Sequence, residues 1–106
     1  MTNYAVLIND IADYEIHSSL EYIEYVLYEP TAARKLWSKI EKKKQYLAMN
    51  PYMYPAISVP NLAKKGFRFV VIGNYLMFYK INEAKKAVLI FRFLYGRRNW
   101  QELLKK

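Results

Sequence analysis

Apolar positions change period twice along this chain, from alternation to a helical step and back again. Tyr4–Ile8 is a short, partly β-branched apolar run with polar residues on both sides, which predicts a strand. Asp10 is then placed to cap a helix running to about Tyr28. Ala12, Ile16, Leu20, Ile23 and Leu27 step by three or four and so share one helical face. Pro30 ends that helix, and Thr31 caps a second one reaching about Met49, with Ala33, Leu36, Ile40 and Leu47 as its buried stripe. The tight Glu-Pro-Thr join makes the pair a helical hairpin.

Asn50-Pro51 stops the second helix, and residues 50–63 hold three of the four prolines, predicting a stiff, irregular connector with a short edge strand near Ile57–Val59. Three β-rich runs follow: Gly66–Ile72, Tyr75–Ile81 and Ala87–Leu94. Gly73-Asn74 separates the first two, a strong hairpin signal, so the three runs predict an antiparallel meander. Gly96 breaks the last strand, and Asn99-Trp-Gln-Glu102 resembles a capping box opening a short helix through Leu104. The expected fold is therefore α+β, in the order β-α-α-β-β-β-α, with the helical hairpin against one face of a sheet. A length of 106 residues predicts one domain over residues 1–106.

Period-two alternation sets Arg68 opposite Phe67 and Phe69, which with Val71 are expected in the core beneath the helices. Arg92 is expected to share a face with Val88, Ile90 and Leu94. If Arg68 lies with Tyr75 and Tyr79 on an uncovered face, that face mixes guanidinium with phenol rings. Such a surface suits single-stranded nucleic acid, since guanidinium grips phosphate and rings stack on unpaired bases. Alternatively, the tyrosines complete a second small core.

Composition narrows the chemistry. There is no cysteine, which excludes disulfides and thiolate sites, and the single histidine, His17, makes histidine-dependent chemistry an unpromising reading; no cofactor is expected. The longest apolar runs are far short of the ~20 residues a membrane span needs, so a soluble, cytoplasmic protein without a membrane partner is expected. The net charge is +8, and it is unevenly spread: residues 1–60 carry six basic and seven acidic residues, whereas 61–106 carry eleven basic and two acidic. No Lys or Arg precedes Arg34, while the first helix carries Asp13, Glu15, Glu21 and Glu24 with Glu29 after them. A basic half of this kind attracts polyanions or an acidic protein partner.

The stretch Gly66-Phe-Arg-Phe-Val-Val-Ile-Gly-Asn-Tyr-Leu-Met-Phe-Tyr79, followed by Val88-Leu-Ile-Phe-Arg-Phe-Leu-Tyr-Gly-Arg-Arg-Asn-Trp100, resembles the RelE/ParE family of bacterial toxins. The family pattern has a Gly-aromatic-Arg strand, a Tyr-x-x-x-Tyr strand and a closing strand ending in His-Gly-Arg-Arg or similar. The Pro-Thr-Ala-Ala-Arg turn between the helices fits as well. The resemblance implies a toxin of a type II toxin–antitoxin pair, neutralised by a cognate antitoxin through an acidic, hydrophobic segment. ParE-like members poison DNA gyrase; RelE-like members cleave mRNA on the ribosome without a metal. A non-toxic, basic nucleic-acid-binding module of the same architecture is the alternative. A monomer and a dimer are both compatible with the sequence.

Carried over residue by residue, Arg68 falls on the family's strand arginine and Arg98, or Arg97 one place earlier, on the arginine after the last strand. In a nuclease both would stabilise charge on the reacting phosphate. Tyr95 stands where many relatives have histidine; a phenol, ordinarily near pKa ~10, serves as a base only where cations such as Arg97 and Arg98 hold it down. Lys64 and Lys65 lie near, but not on, the basic strand positions of the nucleases, and Leu104 stands where some carry a proton-transferring tyrosine. Arg68, Arg98 and Tyr95 are thus the candidate catalytic residues, and Lys64, Lys65, Arg97, Tyr75, Tyr79 and Arg92 the candidate target-binding ones. The departures favour a ParE-like, non-catalytic member or an endoribonuclease with a reduced site, with a slight lean to the former.

Overall fold

A computed structural model describes residues 3–105 of the protein. The chain runs β1 (Ala5–Ile8), α1 (Asp10–Glu21), α2 (Pro30–Met49), α3 (Pro60–Ala63), β2 (Arg68–Ile72), β3 (Tyr75–Asn82), β4 (Ala87–Tyr95) and α4 (Trp100–Leu104). The expected α+β order is present, with α3 as an addition inside the proline-rich connector. The four strands form one sheet in the order β1-β4-β3-β2, in which the meander is antiparallel and β1 lies parallel to β4. At the β2–β3 turn Gly73 takes φ 58°, which a residue with a Cβ would adopt only under strain. The expected edge strand near Ile57 reduces to a single bridge between Ala56 and Arg68.

Two helix starts come earlier than the sequence reading, that of α1 by one residue and that of α2 by two. The α1 cap is Asn9, whose side chain accepts a hydrogen bond from the Ala12 N–H at 2.8 Å, so Asp10 is the first helical residue. Pro30 opens α2 instead of closing α1, because the missing N–H and fixed φ of proline suit the first helical position. Asn99 precedes α4 as expected but makes no side-chain capping bond. Beyond Glu21, α1 widens into a π-helical turn over Tyr22–Val26. That turn delays the apolar stripe, so Leu27, expected to be buried, is exposed. Tyr28 follows at φ 55°, a left-handed conformation uncommon for a bulky residue.

Both sheet faces are covered over much of their area. Beneath the helical hairpin, Ala12, Ile16, Leu36, Ile40 and Leu47 pack against Val70, Ile72, Met77, Tyr79, Val88, Ile90 and Phe93. On the other face the connector and α3 join α4 over Phe67, Phe78 and Leu94, using Ile57, Leu62 and Leu104, and Trp100 packs on Phe78 at 5.3 Å between ring centroids. The faces of β2 are therefore the reverse of the expectation: Val70 and Ile72 lie beneath the helices, Phe67 and Phe69 belong to the second cluster, and Val71 is exposed. On β4 the expected alternation fails at a β-bulge. Phe78 pairs with Arg92 and Tyr79 with Ile90, leaving Phe91 as the extra residue. The bulge puts Phe93 with Val88 and Ile90 in the core and frees Arg92 from that face. Among the described residues no helix is long and apolar enough to cross a membrane.

Candidate functional site

The expected site residues divide between the two ends of the sheet. At the connector end, Arg68 pairs in register with Tyr79. Its guanidinium donates from Nη1 to the Tyr54 carbonyl at 2.7 Å and stacks over the Tyr52 ring at 5.2 Å. Arg68 forms no ion pair among the described residues, and no buried side-chain polar atom there lacks a partner, so its remaining N–H groups face solvent. Tyr79 is fully buried, and its hydroxyl donates to the Pro51 carbonyl at 2.6 Å. Burial pushes its pKa up to about 12, the nearby Arg68 charge opposing only part of that. The expectation that Tyr79 offers a ring to a target is thereby corrected: it fastens the connector to the sheet.

A second network closes the same end. The Glu83 carboxylate accepts from the Lys86 ammonium at 2.6 Å, from the Tyr4 hydroxyl at 2.7 Å and from the Tyr52 hydroxyl at 3.1 Å. Lys86, then Tyr4, hold the Glu83 carboxyl below its ordinary pKa, while Glu83 in turn raises that of Tyr4. These contacts tie β1, the segment after α2 and the β3–β4 turn together.

At the β2–β3 turn end the molecule is open. A groove of about 1090 Å³ runs between α1 with its π turn and the end of the sheet; Ile11, Tyr14, Tyr22, Tyr75, Tyr95 and Arg98 are among the residues lining it. Tyr75 stacks on Phe93 at 4.9 Å and meets Tyr95 edge to face at 5.6 Å. Partial burial raises the Tyr75 pKa, the wrong direction for a base. Gly96 lets the chain leave β4 against this turn: its N–H donates to the Asn74 carbonyl at 2.8 Å, and a Cβ there would lie 3.2 Å from that oxygen.

Arg92 does not present a free charge. Past the end of β1, the β4 edge is met by Glu15 of α1, whose carboxylate accepts from Arg92 Nη2 at 2.7 Å, from Nε at 3.0 Å and from the Phe93 N–H at 3.0 Å. Arg92 Nη1 reaches the Leu103 carbonyl at 3.4 Å. Both charged groups are mostly buried, and Glu15 raises the Arg92 pKa further. The pair joins β4 to α1 and α4. Its expected role in target binding is corrected to an internal ion pair, since the bidentate fork is already filled.

Arg97 and Arg98 are exposed in the turn after β4, and Lys64 and Lys65 are exposed after α3. Lys65 also donates to the Lys105 carbonyl at 3.4 Å. From Arg68 to the Tyr95 end is four residues along the strands and two strands across, about 16 Å in backbone terms, with Arg98 beyond. The geometry thus groups Tyr75, Tyr95 and Arg98, and leaves Arg68 and Tyr79 at the far end. Sequence reasoning missed Glu15, Tyr14 and Tyr22 as parts of this region. The available signals were the apolar residues off the buried stripe and the cation-free first thirty-three residues.

Comparison with known proteins places this geometry. The chain is similar in fold to a chain of the chromosomal ParDE toxin–antitoxin system of P. aeruginosa, with a TM-score of 0.67 at 16% identity, covering 87% of this chain and 95% of that one. It is also similar to a chain of the RelBE2 toxin–antitoxin complex of Mycobacterium tuberculosis, with a TM-score of 0.64, 20% identity and coverage of 90% and 93%. An archaeal RelE–RelB complex from Pyrococcus horikoshii gives a TM-score of 0.55 at 14% identity, covering 92% and 99%. No curated protein sequence matches the chain. The sequence matches the family model for the ParE toxin of the parDE type II toxin–antitoxin system over residues 11–100, nearly its whole length, and the protein belongs to that toxin family.

Proposed function

We propose that this toxin inhibits growth without cutting RNA, with DNA gyrase as its target, and that a cognate antitoxin neutralises it in the cytoplasm by seating a segment in the groove beside α1. One observation carries the non-nucleolytic reading: the candidate catalytic groups do not converge. Of Arg68, Arg98 and Tyr95, Arg68 lies at the connector end of the sheet, whereas Tyr95 and Arg98 lie together at the β2–β3 turn end. Phosphoryl chemistry by side chains needs a base and cationic stabilisers within hydrogen-bond reach of one reacting phosphate. Arg97 and Arg98, free at the rim, are the cations we assign to contacts with macromolecular partners. The antitoxin assignment draws on the family and on the RelBE and RelE–RelB complexes among the similar structures.

Two assays test the proposal together. Induced expression is expected to arrest bacterial growth, and purified protein to reduce supercoiling by purified gyrase while mRNA in a translating extract stays intact. Site-specific cuts in that mRNA would overturn the gyrase reading, and uninhibited growth would overturn the toxin reading itself.

A further inference from the structure

The two helices of the hairpin carry opposite charges on the side that looks away from the sheet. Ala12 and Ile16 of α1 and Leu36, Ile40 and Leu47 of α2 bury against the same sheet face, so the opposite sides of both helices form one outer surface. The exposed charged residues of α1 are Asp10, Asp13 and Glu21, joined by a cation only when His17 is protonated. Those of α2 are Arg34, Lys35, Lys39 and Lys42. Among the described residues no ion pair joins α1 to α2. Asp13 meets only His17, at 3.5 Å, Asp10 and Glu21 meet no cation, and none of the four α2 cations meets a carboxylate. With His17 neutral, three carboxylates and four cations therefore stay unpaired on a nearly balanced surface, although the chain carries +8 in total. None of these residues lines the groove beside α1.

The hairpin's own register decides what a partner on this surface meets. The His17 and Trp37 rings lie 6.1 Å apart, which sets residue 17 level with residue 37. Counting away from that contact along antiparallel helices brings Glu21 level with Arg34 and Asp13 level with Lys42, each to within one residue. A two-fold axis running between the helices and parallel to them preserves these levels and exchanges α1 for α2. Glu21 of each copy then meets Arg34 of the other, and Asp13 meets Lys42. Trp37, 42% exposed and in ring contact with α1, stands beside that axis as an aromatic anchor. A polyanion fits the surface less well. Packed helix axes are about 8–10 Å apart, close to the ~8 Å screening length at physiological salt, so a nucleic acid on the α2 cations would feel the α1 carboxylates. A second copy answers both rows at once.

We propose that two copies of this chain associate through the outer face of the helical hairpin, α1 of each lying on α2 of the other. Exposed ion pairs contribute little individually, so the charges set register and partner choice while Trp37 provides the buried centre. The groove beside α1 and the arginines after β4 stay open in that dimer, because they lie outside the paired rows.

Sedimentation equilibrium on the full-length protein reads the association directly. A dimer is expected at low salt, with a dissociation constant that rises roughly tenfold or more as salt screens the pairs. Trp37→Ala should weaken it by roughly the same factor. Asp13→Lys/Glu21→Lys and Arg34→Glu/Lys42→Glu should each be monomeric alone. Mixed in equal amounts, these two proteins should form a heterodimer, because each then presents the charges the other requires. Circular dichroism checks that the variants fold, and the salt series on the unaltered protein decides the matter even where one does not. A protein monomeric at every concentration at low salt, a dimer indifferent to salt or to both reversals, or reversed proteins that stay apart on mixing would each overturn the proposal. So would a monomer that binds an oligonucleotide through Arg34 and Lys42, which would give the basic row to a polyanion. Growth arrest on expression tests the toxin reading separately, so failure here with arrest intact leaves that reading standing.

Discussion

The two ends of the sheet use the same residue types for opposite purposes. At the connector end, arginine and tyrosine tie the fold together: Arg68 binds the Tyr54 carbonyl with one of its donors, Tyr79 binds the Pro51 carbonyl, and Glu83 gathers Tyr4, Tyr52 and Lys86. At the β2–β3 turn end, Tyr75, Tyr95 and Arg98 line an open groove, and the one ion pair nearby, Glu15–Arg92, holds the groove's floor to α1. A backbone that lacks regular structure must satisfy its carbonyls somehow, and the connector does so with side chains from the sheet. The turn end has compact Gly73–Asn74 geometry and needs no such help, so its aromatic residues stay available. A tyrosine or arginine in this fold therefore says little by type alone; the backbone it stands beside decides whether it stabilises or binds.

The sharpest way to break that contrast is to truncate one tyrosine at each end. Tyr79→Ala should cost about 3–5 kcal/mol, the usual range for deleting a fully buried aromatic side chain, and in a domain of ordinary stability that threatens folding outright. Tyr95→Ala should cost under about 1 kcal/mol, because the residue is 38% exposed at the end of its strand. Chemical denaturation measures both, and similar costs would refute the division. Tyr79→Phe refines the test with pH. The native Tyr79 pKa is about 12 against an ordinary 10, so the unfolded chain loses that proton first and native stability should fall as pH rises from about 10 toward 12. The phenylalanine variant should lack that share of the alkaline loss while giving up about 1 kcal/mol at neutral pH with its hydrogen bond.

Next in size is the floor of the groove. Glu15→Ala leaves Arg92 mostly buried without its partner and frees the Phe93 N–H, at an expected cost of about 2–4 kcal/mol. Glu15→Gln retains an acceptor oxygen and should cost clearly less. If the two variants were equally stable, the acceptor oxygen at this position would contribute nothing to stability.

How much of this was legible beforehand depends on where polarity breaks the pattern. The helical stripes of α1 and α2 are flanked by charged residues, so their faces could be read, and Ala33, Leu36, Ile40 and Leu47 are all buried. Strand β2 and most of β4 are apolar at both parities because both faces of the sheet are covered, so alternation says little about which side meets the helices. That is why the faces of β2 were reversed and the bulge at Phe91 was invisible. The α1 cap was displaced by one because Asn9 and Asp10 are both good caps. Glu15 meets Arg92 across 77 residues of sequence, a contact no local pattern encodes. The groove was half legible: Ile11, Tyr14 and Tyr22 stand off the buried stripe of α1, but the π turn that leaves Leu27 exposed had no sequence signature.

The smallest effects on stability compare the two arginines that the family pattern singles out. Arg68→Ala removes one charge-assisted hydrogen bond to a backbone carbonyl and a stacking contact with Tyr52, so it should cost about 1–2 kcal/mol. Arg98→Ala removes an exposed side chain that makes no side-chain hydrogen bond or ion pair among the described residues, and should shift stability by no more than about 0.5 kcal/mol. Function should sort them the other way. With both proteins expressed to equal folded levels, Arg98→Ala is expected to weaken growth arrest, whereas Arg68→Ala should act only through its stability loss and be rescued by lower temperature. Loss of arrest in a fully folded Arg68→Ala protein would move the working surface to the connector end, because the guanidinium donors not engaged by the Tyr54 carbonyl would then be serving a target.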